Sequence, residues 1–236
     1  MIVMQYADDG DLLSYLNRNI NQMTWKVKLL CLRDIAVCLF DIHNNGLVHC
    51  DLHGGNIVFN TNTRNNSSSK AFICDLGLSQ SHASVQKSTI QGVVPFIAPE
   101  VFHTRKFTPE SDIYAFGIVM YLVANGEPPF RNRLFDSDLV HDIMNGLRPA
   151  MPDSAPEAYK KLAEHCCDAD PNKRPAYRNL RSLIRDLITK IDENHNNERD
   201  NMWNTIYHTD VKHLSRLEKE GKYSSKVLPT GNWALS

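Results

Sequence analysis

The sequence predicts a mainly α fold: a helical bundle that carries one small β-hairpin. Three observations predict it. Leu29, Leu32, Ile35, Ala36, Leu39, Phe40 and His43 recur at helical spacing between Thr24 and Asn44. The longest apolar run, Ala115 to Ala124, is too short to span a membrane and reads as a buried helix. Strand character at mid-chain is confined to two short runs, Ile57 to Phe59 and Ala71 to Cys74, joined by a polar stretch.

Taken in order, Met1 to Tyr6 reads as a strand. Asp8-Asp9-Gly10-Asp11 is a turn ending in a helix N-cap, and a short helix to about Asn17 follows. The long helix from Thr24 ends at Gly46, where glycine suits a left-handed cap. Thr108-Pro109-Glu110-Ser111 opens the buried helix, with proline in its first turn, and Gly126 to Phe130 stops it. Asp136 to Asn145, Ala155 to Cys167 and Ala176 to Ile191 are three further helices. Asp192 to Asn201 is a polar linker. Beyond it Trp203, Ile206, Tyr207, Val211, Leu214 and Leu217 share one helical face, and a disordered tail is expected from Lys222. The expected division is therefore a globular unit over residues 1–191 and a linker, helix and tail over 192–236.

Composition narrows the function classes. With 42% hydrophobic and 22% charged residues, the 236-residue chain is an ordinary globular sequence, long enough for one sizeable core. A net charge of −1 without a basic block gives no footprint for nucleic acid or an anionic membrane. The six cysteines form no C-x-x-C pair and no spaced disulfide framework, which suits reduced, buried thiols and a cytoplasmic location. Met1 to Met4 is apolar, but Asp8 and Asp9 follow too soon for a signal peptide.

The chemistry centres on Leu47 to Phe59, LVHCDLHGGNIVF. It sets a carboxylate, Asp51, five positions ahead of a carboxamide, Asn56, with Gly54-Gly55 between them. A tight loop of this kind holds a carboxylate that can accept a hydroxyl proton beside an amide oxygen that can ligate a hard cation. The stretch resembles the protein-kinase catalytic loop, H-R-D-L-x-x-x-N followed by a strand. Cys74-Asp75-Leu76-Gly77 is similar to the metal-binding D-F-G, and Ala98-Pro99-Glu100 matches A-P-E, 23 positions past Gly77. Order and spacing agree, so the resemblance, to the tyrosine-kinase-like group of protein kinases, runs from residue 1 to about residue 190.

The resemblance implies a kinase C-terminal lobe with the hairpin at its catalytic cleft, ATP and Mg2+ as cofactors, and a protein substrate. It makes Asp51 the base, and Asn56 and Asp75 the metal ligands. Gln5, Tyr6 and Ala7 become the hinge that meets the adenine edge, behind Met4 as gatekeeper, with Val58 as the adenine floor. Asp11 falls where the ATP ribose is contacted, although an aspartate there is equally explained as a helix cap. His49 would pack against Leu76, and Asp112 would accept backbone N–H bonds from the catalytic loop. Arg174, in Asp170-Pro171-Asn172-Lys173-Arg174-Pro175, would pair with Glu100. His43 and the helix cysteines read as packing residues.

Several residues depart from the family pattern. Cys50 replaces the arginine that receives an activation-loop phosphate, a bidentate contact no thiol makes. His53 stands where serine/threonine kinases carry a lysine. Val93 and Phe96 replace the threonine and tyrosine of G-T-x-x-Y, leaving a substrate-side signature of neither type. Ser84, Ser88 and Thr89 are candidate phosphorylation sites. Cys167 replaces a tryptophan, so a looser corner of the core is expected.

No G-x-G-x-x-G occurs in the 236 residues, and the lysines ahead of the catalytic loop, Lys26 and Lys28, lie in the long helix. The expectation is a kinase large lobe from the hinge onward, without the small lobe. That leaves two readings open: a phosphotransferase acting on a protein serine, threonine or tyrosine in signalling, and a silent kinase-fold scaffold. Either allows a regulatory or complementing protein partner.

Overall fold

In the computed structural model the described residues are 7–60, 70–81 and 89–194. The strand expected over Met1 to Tyr6 lies outside them, with Met4, Gln5 and Tyr6, as do Ser84, Ser88 and the stretch beyond Asn194 with its expected helix and tail. Helix α1 (Leu12–Asn19) starts where Asp11 caps it, the carboxylate accepting the Ser14 N–H at 2.7 Å, and Arg18 lies in its last turn. Such a cap is worth about 1 kcal/mol. The helix outruns the expected end at Asn17 and passes into a 3-10 turn, Ile20–Gln22.

Helix α2 (Trp25–Asn44) is capped by Thr24, and the apolar positions read from the sequence, all but the half-buried Phe40, are on its buried face. Leu29, Leu32, Ile35 and Leu39 are fully buried, each contributing about 1.5–3 kcal/mol of apolar burial. Gly46 follows at φ 73, a left-handed conformation that stops the helix. The chain then enters β1 (Leu47–Val48) and the catalytic-loop stretch.

The expected hairpin is present. Strands β2 (Ile57–Asn60) and β3 (Lys70–Ile73) pair antiparallel, with Ile57 opposite Ile73 and Val58 opposite Phe72. Ile57 and Phe59 face the core, while Val58 lies on the other face, half-buried. A second pairing was not foreseen: β4 (Gln80–Ser81) runs antiparallel to β1. It lays the start of the expected activation segment beside the catalytic loop.

Helix α3 (Pro99–Thr104) leads to α4 (Pro109–Asn125), the axis of the fold. Thr108 and Ser111 form a capping box, and every residue from Ser111 to Ala124 is buried. Gly126 ends the helix as its left-handed cap residue. Helices α5 (Ser137–Met144), α6 (Glu157–Cys166) and α7 (Tyr177–Asn194) complete the bundle. α7 packs along α2 and α6 packs on α4. That last approach is close: a Cβ at Gly117 would overlap Cys167 Sγ, so only glycine fits. The fold is the mainly helical one expected.

The corner at Cys167 is not loose. Cys167 is buried and its Sγ reaches the Tyr114 carbonyl at 3.7 Å. The Tyr114 ring lies under two guanidiniums, Arg148 at 5.0 Å and Arg174 at 5.2 Å. Arg148 also donates to the Cys167 carbonyl at 3.0 Å. Arginine stems and cation–π contacts pack this corner.

Candidate active site

The catalytic loop hangs from one buried carboxylate. Asp112, in the first turn of α4, accepts the backbone N–H of His49 at 2.7 Å and of Cys50 at 3.1 Å. Its Oδ2 also meets His43 Nε2 at 2.8 Å. His43 is thus a hydrogen-bond partner as well as a packing residue. The anchor matters because Cys50 sits at φ 68, a conformation that costs a non-glycine residue about 1–2 kcal/mol. Three contacts to one buried acid hold that strained turn in place.

From the turn, Asp51 projects into a crevice lined by Gly92, Val93 and Phe96. Asn56 closes the loop: its Nδ2 donates to the Asp51 carbonyl at 2.9 Å and to Asp51 Oδ2 at 3.2 Å. Spending the amide nitrogen on Asp51 leaves Asn56 Oδ1 as the group's acceptor. The Cys74 N–H binds the Asn56 carbonyl at 2.9 Å, which brings the next residue, Asp75, alongside. Asp75 is left-handed at φ 59, exposed, and takes the Gly77 N–H at 3.1 Å. An amide oxygen and an exposed carboxylate are the hard oxygen donors that Mg2+ takes while keeping waters and phosphate oxygens as its remaining ligands. The donor set therefore fits that ion.

His49 ties these parts together. Its Nδ1 accepts the Asp51 N–H at 3.2 Å and its Nε2 lies 3.2 Å from the Cys74 carbonyl. One imidazole thus spans the segments of both carboxylates, whereas Leu76 is 50% exposed. His53, in the place of the family's lysine, turns its ring back along the loop: Nδ1 accepts the Gly55 N–H at 3.0 Å and Nε2 stands 3.5 Å from Asp51 Oδ2. Nothing in the sequence signals this, because it depends on a single backbone turn.

The turn ahead of α1 is stitched to the hairpin. The Asp9 N–H binds the Phe59 carbonyl at 3.1 Å, and the Phe59 N–H binds the Gly10 carbonyl at 2.9 Å. An isolated bridge joins Asp11 to Val58. Asp11 and Val58 are thereby neighbours, and the Ala7 carbonyl accepts the Gly10 N–H at 3.4 Å. The cap role of Asp11 is seen directly. Gln5 lies outside the described residues. At the far end of the segment, Glu100 and Arg174 pair through two bonds of 2.7 Å. Cys50 Sγ, in the place of the family's arginine, is met by Gln80 Nε2 at 3.5 Å.

These parts, in this arrangement, are those of a kinase-class large lobe. The model of the protein tyrosine and serine/threonine kinase family matches residues 1–184, and the chain belongs to that family. The tyrosine-kinase-like resemblance holds. The probable serine/threonine-protein kinase roco8 of Dictyostelium discoideum is 31% identical over 193 residues, covering 79% of this chain and 10% of the relative. Ephrin type-A receptor 5 of Rattus norvegicus is 31% identical over 194 residues, covering 80% of this chain and 19% of the relative. The probable serine/threonine-protein kinase kinX of Dictyostelium discoideum is 26% identical over 196 residues, 82% of this chain and 17% of the relative. The chain thus spans a fifth or less of the length of these three relatives. No helix among the described residues is long and apolar enough to cross a membrane.

Proposed function

We propose that this chain supplies the catalytic loop and metal-binding carboxylate of a kinase that moves the γ-phosphate of ATP to a protein serine or threonine hydroxyl in signalling. The observation that carries the reading is the loop itself. Asp51 and Asn56 are locked to each other, and both are anchored through Asp112. Asp51 accepts the proton of the acceptor hydroxyl as the new O–P bond forms and the bond to the ADP oxygen breaks. Asn56 Oδ1 and Asp75 would hold Mg2+, which when bound neutralises charge on the phosphates. Val58 offers an apolar floor to adenine, the backbone of Gln5 and Ala7 its edge contacts, and the second oxygen of Asp11 a ribose contact. The free thiols of all six cysteines accord with a cytoplasmic protein, and a regulatory or complementing protein partner is part of the same reading.

The test joins these 236 residues to the glycine-rich lobe of a related kinase and follows phosphate transfer from Mg-ATP to a general protein acceptor. Transfer that disappears with Asp51→Asn is expected. The 236 residues alone should bind ATP weakly, since no G-x-G-x-x-G among them holds the phosphates. A folded fusion that binds ATP and transfers nothing would favour a silent scaffold instead.

A further inference from the structure

We infer that His53 is a positioning residue: it holds Oδ2 of Asp51 so that Oδ1 is the oxygen that receives the acceptor proton. The inference rests on the kinase reading above and adds which atom of the carboxylate acts and what orients it.

The argument begins with a backbone donor. The Gly55 N–H can only donate, and it points at His53 Nδ1 from 3.0 Å. Nδ1 must therefore be bare, and the neutral ring carries its proton on Nε2. That Nε2–H faces Asp51 Oδ2 at 3.5 Å. The contact is long, as catalytic contacts often are before substrate closes on them. Asn56 Nδ2 approaches the same oxygen at 3.2 Å. The Asn56 amide donor and the His53 ring nitrogen thus approach Oδ2 from residues five and two places further along one loop. The side chains of His53 and Asp51 are only 15% and 17% exposed, so solvent competes weakly for these contacts.

Oδ1 has different surroundings. It lies over Gly92, where a built Cβ would stand 3.4 Å away. Gly92 has φ 137, which L side chains rarely adopt, so the glycine keeps this approach clear. The carboxylate is therefore divided: Oδ2 meets the Asn56 amide and the His53 ring, and no donor among the described residues meets Oδ1. A lysine at position 53 would bring a flexible cation in place of this fixed ring.

Two measurements decide it. Nitrogen-15 imidazole spectra of the 236-residue chain should show His53 protonated at Nε2 and bare at Nδ1 near neutral pH. The Nε2 signal should move in Asp51→Ala or Asp51→Asn, whichever folds. A proton on Nδ1, or an Nε2 signal indifferent to Asp51, overturns the inference whether or not the protein is a kinase. In the fusion described above, His53→Gln places an amide donor near the Nε2 position and should keep kcat within about threefold, whereas His53→Asn retains only the acceptor for Gly55 and should lose about tenfold or more with KM for ATP unchanged. Equal kcat for the two variants overturns the inference. Silence of the unmutated fusion would instead remove the kinase reading, and the spectra would still decide the geometry.

Discussion

Arg174 and Glu100 meet fork to fork, two nitrogens on two oxygens, each bond 2.7 Å long. The guanidinium side chain is fully buried and the carboxylate 18% exposed. Arg174 spends its remaining donors on the carbonyls of Asp168 and Glu110. Arg174→Ala leaves the Glu100 charge uncompensated near the core, so a loss of about 3–5 kcal/mol is expected in urea melts. A loss below about half a kcal/mol, the range of surface sites, would mean that the pair does not hold the segment.

Asp112 gives a second stability prediction with a local signature. Asp112→Ala strips the His49 and Cys50 N–H groups of their acceptor, each at a cost of about 1–3 kcal/mol. The left-handed Cys50 loses its restraint at the same time. Amide exchange at positions 49 and 50 should accelerate well beyond that of the neighbouring helices. Asp112→Asn keeps one acceptor and should fall between. Unchanged exchange at these two amides in the alanine variant would contradict the anchor.

Activation-segment phosphorylation should matter little. Gln80 Nε2 already reaches Cys50 Sγ at 3.5 Å, and β4 pairs with β1, so the segment is tied to the loop without a phosphate. A thiol also offers a phosphate no bidentate partner. In the fusion, combined Ser84→Ala, Ser88→Ala and Thr89→Ala substitution should leave kcat within tenfold, about 1.4 kcal/mol. A larger fall would show that another cation takes the arginine's place.

Alkali should unfold the chain early. Burial pushes the Cys31, Cys166 and Cys167 thiols up from 9.0, Cys167 to about 12. Below 9.0 both folded and unfolded chains keep these protons and the stability is whole. As pH rises further the unfolded chain gives its protons up first, and stability falls through about 12 for Cys167. Lys28 acts in the opposite sense: burial lowers its ammonium below 10.5, so its penalty is relieved as pH rises through that lowered value. It is one group against eight, since burial also raises the Cys38 and Cys74 thiols and the Tyr114, Tyr121 and Tyr159 phenols. Urea midpoints should drop between about pH 8 and about pH 10.5, and Cys167→Ala should flatten the fall. A flat profile in the unmutated chain would show that the thiols titrate as if exposed.

How much of this could be read beforehand follows from the range of each interaction. Helices α2 and α4 to α7 announce themselves through caps and long apolar periodicities, which are local. Helix α3 has six residues, too few for a period to show. The β1–β4 ladder joins residues more than thirty positions apart through two pairs, and no local pattern encodes that. The motif resemblance grouped Asp51, Asn56, Asp75 and Asp112 at one loop and paired Arg174 with Glu100. It missed the left-handed Cys50 and the backward turn of the His53 ring, because both depend on backbone angles. The Cys167 corner was misjudged for another reason: a lost side chain was counted without the arginines that moved in.

The stitching of residues 9 to 11 onto strand β2 couples the turn to the hairpin. Asp9 and Gly10 bond to Phe59, and Asp11 bridges to Val58, so this turn travels with the hairpin as one rigid body. A displacement of Asp9 or Gly10 is passed through the Phe59 bonds to the strand that leaves Asn56 directly. Turn and catalytic loop are mechanically in series.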